Sequence, residues 1–544
     1  MKIVRDGPRW GFVEQGVLFR YSAPESWTPM ILVHPPVVKP CEAPAGIAKL
    51  AGALQAHHIP CQVLDANLEG LLYLLNTVPA RPDTWSTVAS RRLSGSLRLL
   101  TSRQGYENFD RYKRAVLGVN RVLENAAPPH GIRLSLANYS DQTLSPLRSA
   151  DLIRSWEHPE KNLFYPYFQG RLLSLLERDG TNTVGLSLNY LSQALCTFAM
   201  AGFLKKQSAN LKIILGGGLV TSWMSRPDWK NPFEGLVDRM VSGPGEEALL
   251  SFLGVSGNHD HAVPAYEGFR CEGYFAPGFI LPYSASSGCY WGRCSFCPEN
   301  AEGNLFKPLQ VRDAVRDVRA LMEKRKAVLV HFLDNAMSPA LLRTLCKEPP
   351  GAPWYGFARV TEDLEDPDFC LALKRSECRM LKLGLESGDQ EVLDGLRKGI
   401  HLEIASQALR ALKKAGIATY VYLLFGTPPE SPEAAERTLE FTVTHHRHID
   451  FLNLAIFNMP AHGTDADQFE TQDFYEGDLS LYRGFVHPLG WGRSAVRRFL
   501  DKTFKRHPAV AAILRRDPPV FTSNHAPFFC PAEEEQTGEE GGMD

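Results

Sequence analysis

Short apolar runs alternate with helical patterns in the first half of the chain. The run Pro29–Val33 is followed by Ile47, Leu50, Ala51 and Leu54, which have the i, i+3, i+4, i+7 spacing of one helix face. Such alternation predicts parallel α/β structure. We therefore predict a doubly wound, Rossmann-like domain over residues 27–255, with a mainly helical insertion at about 68–180. Its further strands are predicted at Cys61–Asp65, Thr183–Asn189, Lys212–Leu215 and Arg239–Ser242.

A second α/β pattern repeats strand and helix six times. Continuous apolar strands predict a parallel sheet covered on both faces, and six such units predict a partial (β/α)6 TIM-type barrel over 279–489. Residues 256–278 have little periodicity and suit a linker. We expect a helical extension over 490–530 and a disordered acidic tail over 531–544. The barrel strands are predicted at Phe279–Ser286, Ala327–Asn335, Trp354–Val360, Met380–Ser387, Ala418–Gly426 and Asp450–Met459.

Composition argues against several classes of protein. The chain has 544 residues, 44% of them hydrophobic, and a formal net charge of −2, which gives no indication of nucleic acid binding. No apolar run reaches the ~18 residues of a membrane span. The sequence MKIVRDGPRWGF carries charges where a signal peptide has its apolar stretch. We therefore expect a cytoplasmic protein without a membrane span.

Three of the eleven cysteines lie close together in the sequence. Cys289, Cys294 and Cys297 have the spacing Cx4Cx2C and directly follow the first predicted barrel strand, at the end where barrel enzymes carry their active sites. Three thiolates can each bind one iron of a four-iron cluster and leave the fourth iron open to a small molecule. The alternatives are a structural zinc site, which normally has four ligands, and a disulfide, which is rare in the cytoplasm. Gly288 and Gly292 favour the cluster, because they free the loop backbone for a tight wrap.

The segment GCYWGRCSFCP resembles the cluster loop of the radical S-adenosylmethionine (SAM) superfamily. Further matches are HFLDNAMSP, FARV, GLESGDQEVLDGLRKG and LLFGTPPESPEAAERT, all near predicted barrel strands. The amino-terminal region resembles the cobalamin-binding domains of that superfamily through LVHPP, PAGIAKLAGAL, VLDAN, LGGGLVTSW and VSGPGEEALL. The resemblance implies a [4Fe–4S] cluster, SAM and cobalamin as cofactors. One departure is the spacing of the first two cysteines, which is four residues instead of the commoner three, and we expect the extra residue to loop out at Gly292.

The resemblance also implies which residues contact SAM. Each has a simpler alternative: a helix-start carboxylate for Glu386, a turn or N-cap for Asp334 and Asn335, surface pairing with Glu362 for Arg359, and a turn for Gly426. The predicted SAM contacts are Phe296, Asp334, Asn335, Arg359, Glu386 and Gly426.

Glycines end two strands of the first domain, where a doubly wound sheet binds its ligand. Missing side chains there let a flat ring and a nucleotide-like tail approach the backbone. The only nearby histidine, His34, lacks the Asp-x-His-x-x-Gly context of a cobalt ligand, so we predict no protein histidine on cobalt. The alternative is a domain that has lost cobalamin and remains as a scaffold. The predicted cobalamin contacts are Gly216, Gly217, Gly218, Gly243 and Gly245.

The function that the resemblance implies is methyl transfer to an unactivated carbon or to phosphorus. One SAM donates its methyl group to cobalamin, a second is cleaved to a 5′-deoxyadenosyl radical, and the substrate radical takes the methyl group. The alternatives are ring contraction, cyclisation or carbon–carbon coupling, and a regulator without turnover. The substrate, whether small molecule, lipid or peptide, and the catalytic residues are not specified by the sequence. We expect an electron donor such as flavodoxin or ferredoxin.

Overall fold

Two parallel sheets carry most of the strands. The structure, a computed structural model, describes side chains from residue 29 onward, and before that only the backbone of three antiparallel strands, β1 (Ile3–Asp6), β2 (Arg9–Glu14) and β3 (Val17–Phe19). The described ranges are 29–77, 81–127, 131–255, 261–270, 272–463, 468–472, 476–517 and 525–529. The predicted acidic tail at 531–544 lies outside the described residues. None of the described helices has the length and apolar character needed to cross a membrane.

The first sheet has five parallel strands in the order β10-β9-β8-β4-β5. This order confirms the predicted doubly wound architecture, and its topological switch point lies between β4 and β8. Its elements are β4 (Met30–His34), α1 (Ala45–Ala56), β5 (Cys61–Asp65), α2 (Ala66–Thr77), β8 (Thr183–Ser187), α9 (Leu191–Gln207), β9 (Lys212–Gly216), α10 (Gly218–Met224), β10 (Arg239–Met240) and α11 (Gly245–Phe252).

The segment between α2 and β8 is mostly helical and contains one antiparallel hairpin, which the sequence did not predict. Buried apolar side chains of its helices pack against the first sheet in one hydrophobic core. Its elements are α3 (Thr84–Leu100), α4 (Gln104–Glu107), α5 (Phe109–Ala126), β6 (Ile132–Leu134), β7 (Tyr139–Asp141), α6 (Ser149–Glu157), α7 (Tyr165–Tyr167) and α8 (Leu173–Asp179).

The second sheet has six parallel strands in the order β11-β14-β15-β16-β17-β18, which confirms the predicted partial barrel. Apolar residues on one side of each strand pack against the surrounding helices. The elements are β11 (Ile280–Tyr283), β12 (Ser286–Ser287), α12 (Pro298–Ala301), β13 (Lys307–Pro308), α13 (Val311–Arg325), β14 (Leu329–Phe332), α14 (Pro339–Lys347), β15 (Trp354–Ala358), α15 (Pro367–Arg375), β16 (Cys378–Glu386), α16 (Gln390–Gly395), α17 (Leu402–Ala415), β17 (Ala418–Phe425), α18 (Pro432–His445) and β18 (Phe451–Ile456).

After the barrel, a small antiparallel sheet and two short helices complete the described chain. The elements are β19 (Met459–Pro460), β20 (Thr471–Gln472), β21 (Tyr482–Phe485), α19 (Arg493–Phe499) and α20 (Pro508–Leu514). The described part of the predicted linker is irregular but packed, since Tyr266 and Phe275 are buried. One hydrophobic core includes helix α1 of the first sheet and helix α13 of the barrel, so the two sheets are joined by direct packing.

Candidate active site

The cysteine loop begins at the carboxyl end of β11, as predicted. Gly288 has φ +70°, and a Cβ on it would lie 2.4 Å from the Leu305 carbonyl oxygen. Gly292 has φ +56° and is exposed. Both values are in the left-handed region that favours glycine. The prediction that these two glycines free the loop backbone is therefore confirmed.

The three thiols of this loop are free and only partly buried. Burial raises the pKa of Cys294 and raises that of Cys297 to about 11. Each of these two pKa values is also raised by another loop cysteine, so the thiols are neighbours. In the part of the chain that is described, no three His, Cys, Asp or Glu side chains converge on one metal ion. Three neighbouring thiols on one loop suit a polynuclear cluster, in which each thiolate binds a different iron.

Trp291 contacts residues outside the cysteine loop and thereby holds the loop against the barrel. Its ring lies under the Arg359 guanidinium, with 3.7 Å from the guanidinium carbon to the ring centre. Its indole Nε1 donates to the Arg397 carbonyl oxygen at 3.1 Å. Arg359, in turn, donates from Nη2 to the Gly399 carbonyl oxygen at 2.6 Å. Arg359 is 8% exposed, and burial lowers its pKa. No sequence pattern singled out Trp291, apart from its position in the lengthened Cx4C spacing.

Glu386 ends β16 in a strained conformation beside an unpredicted lysine. It has φ +72°, a value that non-glycine residues seldom adopt and that is enriched at functional sites. Its Oε1 accepts from Lys398 Nζ at 2.8 Å, and both side chains are nearly buried. The Lys398 ammonium also lies 5.5 Å from the centre of the Phe296 ring. The N-cap of the following helix is Asp389, which accepts from the Val392 amide, so Glu386 does not cap that helix.

Asp334 and Asn335 join the end of β14 to the cysteine loop. One Asp334 oxygen accepts from the Ala285 amide at 3.1 Å and the other from Ser286 Oγ at 2.5 Å. Asn335 Nδ2 donates to the Gly288 carbonyl oxygen at 3.4 Å. The N-cap before Pro339 is Ser338, not either of these two residues. Their contacts with SAM stay predictions.

Gly426 directly follows β17 and has φ +76°, and its amide donates to Glu430 Oε2. The same oxygen accepts from Trp491 Nε1 at 2.8 Å. Glu430 is fully buried, and burial raises the pKa of its carboxyl to about 7. Glu430 was not predicted, although it follows Gly426 in the motif LLFGTPPE.

The five predicted glycines of the first sheet lie at the end of β9 and in the turns after β9 and β10. Gly217 has φ +110°, and a Cβ there would lie 2.5 Å from the Leu188 carbonyl oxygen, so its own turn requires glycine. A Cβ on Gly216 or Gly218 would meet nothing closer than 3.6 Å, and one on Gly243 nothing within 4 Å. One on Gly245 would lie 3.2 Å from Leu50. This open backbone fits a flat ligand at the sheet edge.

Two residues that the sequence did not single out follow the strands at the switch point. Tyr190 follows β8 and is 59% exposed, so its ring is accessible to a ligand at the switch point. Glu42 follows β4 and interacts electrostatically with Tyr190. His34, at the end of β4, is 7% exposed, and burial lowers its pKa.

Comparison with known proteins identifies the barrel. Residues 283–442 match the Radical SAM superfamily. This match confirms the resemblance drawn from the cysteine loop and from the motifs near the barrel strands.

Two curated proteins match parts of the chain. Bacteriochlorophyllide d C-12(1)-methyltransferase of Chlorobaculum tepidum is 27% identical over 173 residues, which are 30% of this chain and 37% of that protein. An uncharacterized methyltransferase of Pyrococcus horikoshii is 22% identical over 284 residues, which are 45% of this chain and 60% of that protein. The chain thus matches less than two thirds of the length of either relative.

The solved structures that resemble the chain include two cobalamin-containing enzymes. The radical SAM methyltransferase TsrM from Kitasatospora setae, with cobalamin and [4Fe-4S] cluster bound, has a TM-score of 0.49 and 16% identity, and the match covers 80% of this chain and 77% of that one. The cobalamin-dependent SAM radical enzyme OxsB, with aqua-cobalamin bound, has a TM-score of 0.47 and 12% identity, covering 76% of this chain and 52% of that one.

Proposed function

The barrel segment 283–442 belongs to the radical SAM superfamily, and from that premise we propose that the chain is a cobalamin-dependent methyltransferase. It acts on an unactivated carbon or on phosphorus of a substrate that is still to be identified. The observation that carries the proposal is the arrangement at the carboxyl ends of the barrel strands. There the free thiols of Cys289, Cys294 and Cys297 lie in one loop, next to Arg359 and to the Glu386–Lys398 pair.

The side chains of this site suit SAM. Lys398 and Arg359 place two positive charges near the cysteine loop. Burial raises the pKa of Cys294, and both of these charges oppose that rise. A fixed guanidinium suits a carboxylate, and the Glu386 carboxylate suits an amino group or ribose hydroxyls. The cysteine thiolates would hold the cluster, which supplies the electron that cleaves SAM.

The first sheet supports the cobalamin part of the proposal. Its switch point, between β4 and β8, is where doubly wound sheets bind ligands, and it carries the exposed Tyr190. Gly216, Gly218 and Gly243 leave the neighbouring backbone open. The two curated relatives are named as methyltransferases, which favours methyl transfer over the other radical reactions.

The experiment that tests this function uses the full chain, reconstituted anaerobically with iron, sulfide and cobalamin and then reduced. With methyl-deuterated SAM we expect 5′-deoxyadenosine, S-adenosylhomocysteine and a substrate that gains a deuterated methyl group. The Cys297→Ala variant is the control and should form no 5′-deoxyadenosine. Formation of 5′-deoxyadenosine with an unmethylated, rearranged product would replace methyl transfer by a rearrangement, cyclisation or coupling. Failure to cleave SAM at all would favour a regulator.

The proposal also covers the electron donor and the cellular location. We propose flavodoxin or ferredoxin as the electron donor and the cytoplasm as the location. The donor is tested in the same assay by replacing the chemical reductant with reduced flavodoxin or ferredoxin.

A further inference from the structure

A chain of three polar residues connects the two sheets inside the barrel. His331 Nδ1 lies 3.0 Å from both carboxylate oxygens of Glu42. Lys382 Nζ lies 2.9 Å from His331 Nε2. Glu42 follows β4 of the first sheet, whereas His331 and Lys382 are on barrel strands β14 and β16. The contact therefore crosses from the switch point of one sheet to the interior of the other.

We infer that Glu42, His331 and Lys382 are positioning residues that align the ligand edge of the first sheet with the barrel. This inference rests on the proposed function, because it concerns transfer between the cobalamin proposed for the first sheet and the SAM of the barrel. None of the three residues is required to touch a reacting atom. Their task is to fix the distance and orientation of the two binding sites.

The hydrogen bonds have one consistent direction. A lysine ammonium only donates, so the neutral His331 ring accepts at Nε2. The single ring hydrogen is then on Nδ1, where it is donated to the Glu42 carboxylate. The Tyr355 ring stacks on the His331 ring with 4.3 Å between centres and 7° between planes, which restricts rotation of the imidazole. The three side chains therefore form a rigid hydrogen-bonded link that runs from Glu42 through His331 to Lys382.

Packing alone does not explain a polar link here. His331 and Lys382 are 5% and 2% exposed, and burial lowers the pKa of Lys382 to about 7. Apolar side chains in such a place are often as stabilising as a buried ion pair, or more so. Hydrogen-bonded polar groups specify one geometry more strictly than apolar contacts do, because few arrangements satisfy every donor and acceptor.

The loop that carries Glu42 is held firmly by its own domain. Asn67 bonds both the amide and the carbonyl of Val38, at 2.8 and 3.0 Å. Ser192 Oγ, at the start of α9, donates to the Val37 carbonyl oxygen at 2.7 Å. A shift of Glu42 would therefore also move the backbone at the switch point, where the cobalamin site is proposed.

The test compares two partial reactions that need no substrate. Reductive cleavage of SAM to 5′-deoxyadenosine involves the barrel, whereas S-adenosylhomocysteine formation in the presence of cobalamin involves both sites. In the Glu42→Ala and Lys382→Met variants we expect the ratio of S-adenosylhomocysteine to 5′-deoxyadenosine to fall by about 10- to 100-fold, because small misplacements of reacting groups cost that much. The Glu42→Gln variant, which keeps a hydrogen-bond acceptor, should recover part of the ratio.

The matched control is Tyr106→Phe. The Tyr106 hydroxyl donates to the Phe275 carbonyl oxygen at 2.8 Å, so this variant also removes one buried bond between the amino-terminal half and the segment entering the barrel. It should leave the ratio unchanged. An equal fall in both variants would assign a merely structural role to Glu42 and overturn the inference, as would an unchanged ratio in Glu42→Ala.

A second readout uses the chain without cofactors. Hydrogen–deuterium exchange at the Val38 amide, which donates to Asn67 Oδ1, should become about tenfold faster in Glu42→Ala and stay unchanged in Tyr106→Phe, since local opening governs exchange. Unchanged exchange in Glu42→Ala would overturn the alignment role even if the wild-type chain formed neither product. Absence of both products in the wild-type chain, with the expected exchange, would overturn only the proposed function.

Discussion

The Arg359 guanidinium carbon lies 3.7 Å from the centre of the Trp291 ring, so the third barrel strand holds the cysteine loop by a cation–π contact. Gly399 completes this contact, because a Cβ on it would lie 2.5 Å from the Trp291 ring. The extra residue of the Cx4C spacing is therefore accommodated by an ordered loop. Gly292 turns the backbone, and the Trp291 ring stacks against the Arg359 guanidinium.

Replacing Trp291 by alanine should weaken the binding of the iron–sulfur cluster by the cysteine loop. A cation–π contact in a partly desolvated site contributes about 1–2 kcal/mol, so we expect iron release to a chelator to become about 5- to 30-fold faster. The Trp291→Phe variant should be intermediate. Trp85, which is 55% exposed and lies under Arg121, offers a matched control far from the loop, and Trp85→Ala should not change iron release.

The three loop cysteines should each be indispensable. We expect Cys289→Ala, Cys294→Ala and Cys297→Ala to lower the iron content of anaerobically reconstituted protein by about tenfold and to abolish SAM cleavage, because a four-iron cluster needs all three thiolates. Iron is measured by colorimetric assay after gel filtration. Cys346, a free and partly buried thiol on α14, gives the control variant Cys346→Ala. Full iron content in any of the loop variants would contradict the cluster assignment.

The local features of the fold and of the cysteine loop were predictable because they depend on neighbours in sequence. Apolar runs identified all six barrel strands, and glycines identified the turns of the loop. Strand ends were less accurate: Ala327–Asn335 was predicted where β14 covers Leu329–Phe332. The apolar run continues into the residues that lead to the active site, so hydrophobicity does not show where the strand stops pairing with its neighbours.

Contacts between distant residues were not predictable from one sequence. Glu42 and His331 are 289 positions apart, and their pairing depends on how the two sheets are oriented. Lys398 is near Glu386 in sequence, but its charge is typical of a solvated loop, and only the fold brings it against the carboxylate. Glu430 was missed for the same reason, because nothing in a local pattern shows that a glutamate after Pro-Pro is buried.

The Glu386–Lys398 pair should be needed for SAM binding. Removing one partner of a nearly buried ion pair leaves a charge without compensation, at a cost of about 3–5 kcal/mol. We expect Lys398→Met to weaken SAM binding at least about tenfold in equilibrium dialysis, since Glu386 is then free to change its rotamer. Lys398→Arg, which keeps the charge, should bind SAM more tightly than Lys398→Met. Equal affinity in wild type and Lys398→Met would exclude Glu386 from the SAM site.

Glu430 should make the stability depend on pH in an unusual direction. Burial raises its pKa to about 7, whereas an unfolded chain has a glutamate pKa of about 4.3. Between these values the folded chain binds more protons, so this group stabilises the fold at low pH, and its contribution is lost as the pH rises through about 7. Urea unfolding at several pH values should show Glu430→Gln gaining up to about 3 kcal/mol relative to wild type between pH 4.5 and 7.5. The exposed Glu436, on the next helix, gives the control Glu436→Gln, for which no such gain is expected.

The last prediction concerns the sheet edge proposed for cobalamin. Gly218 opens α10 without a positive φ, and a Cβ on it would meet nothing closer than 3.8 Å, so the fold does not itself require glycine there. We expect Gly218→Phe to keep the thermal midpoint within about 3 °C, as for most surface substitutions, and to weaken cobalamin binding at least about tenfold by occupying the space of the ligand. Ser222, one turn later on the same helix, gives the control Ser222→Phe, which tests whether any added ring on this helix has the effect. Cobalamin affinity is measured from the absorbance of the bound corrin. If Gly218→Phe folded and bound cobalamin like wild type, the ligand would not contact this edge, and the glycines after β9 would be there for the turn alone.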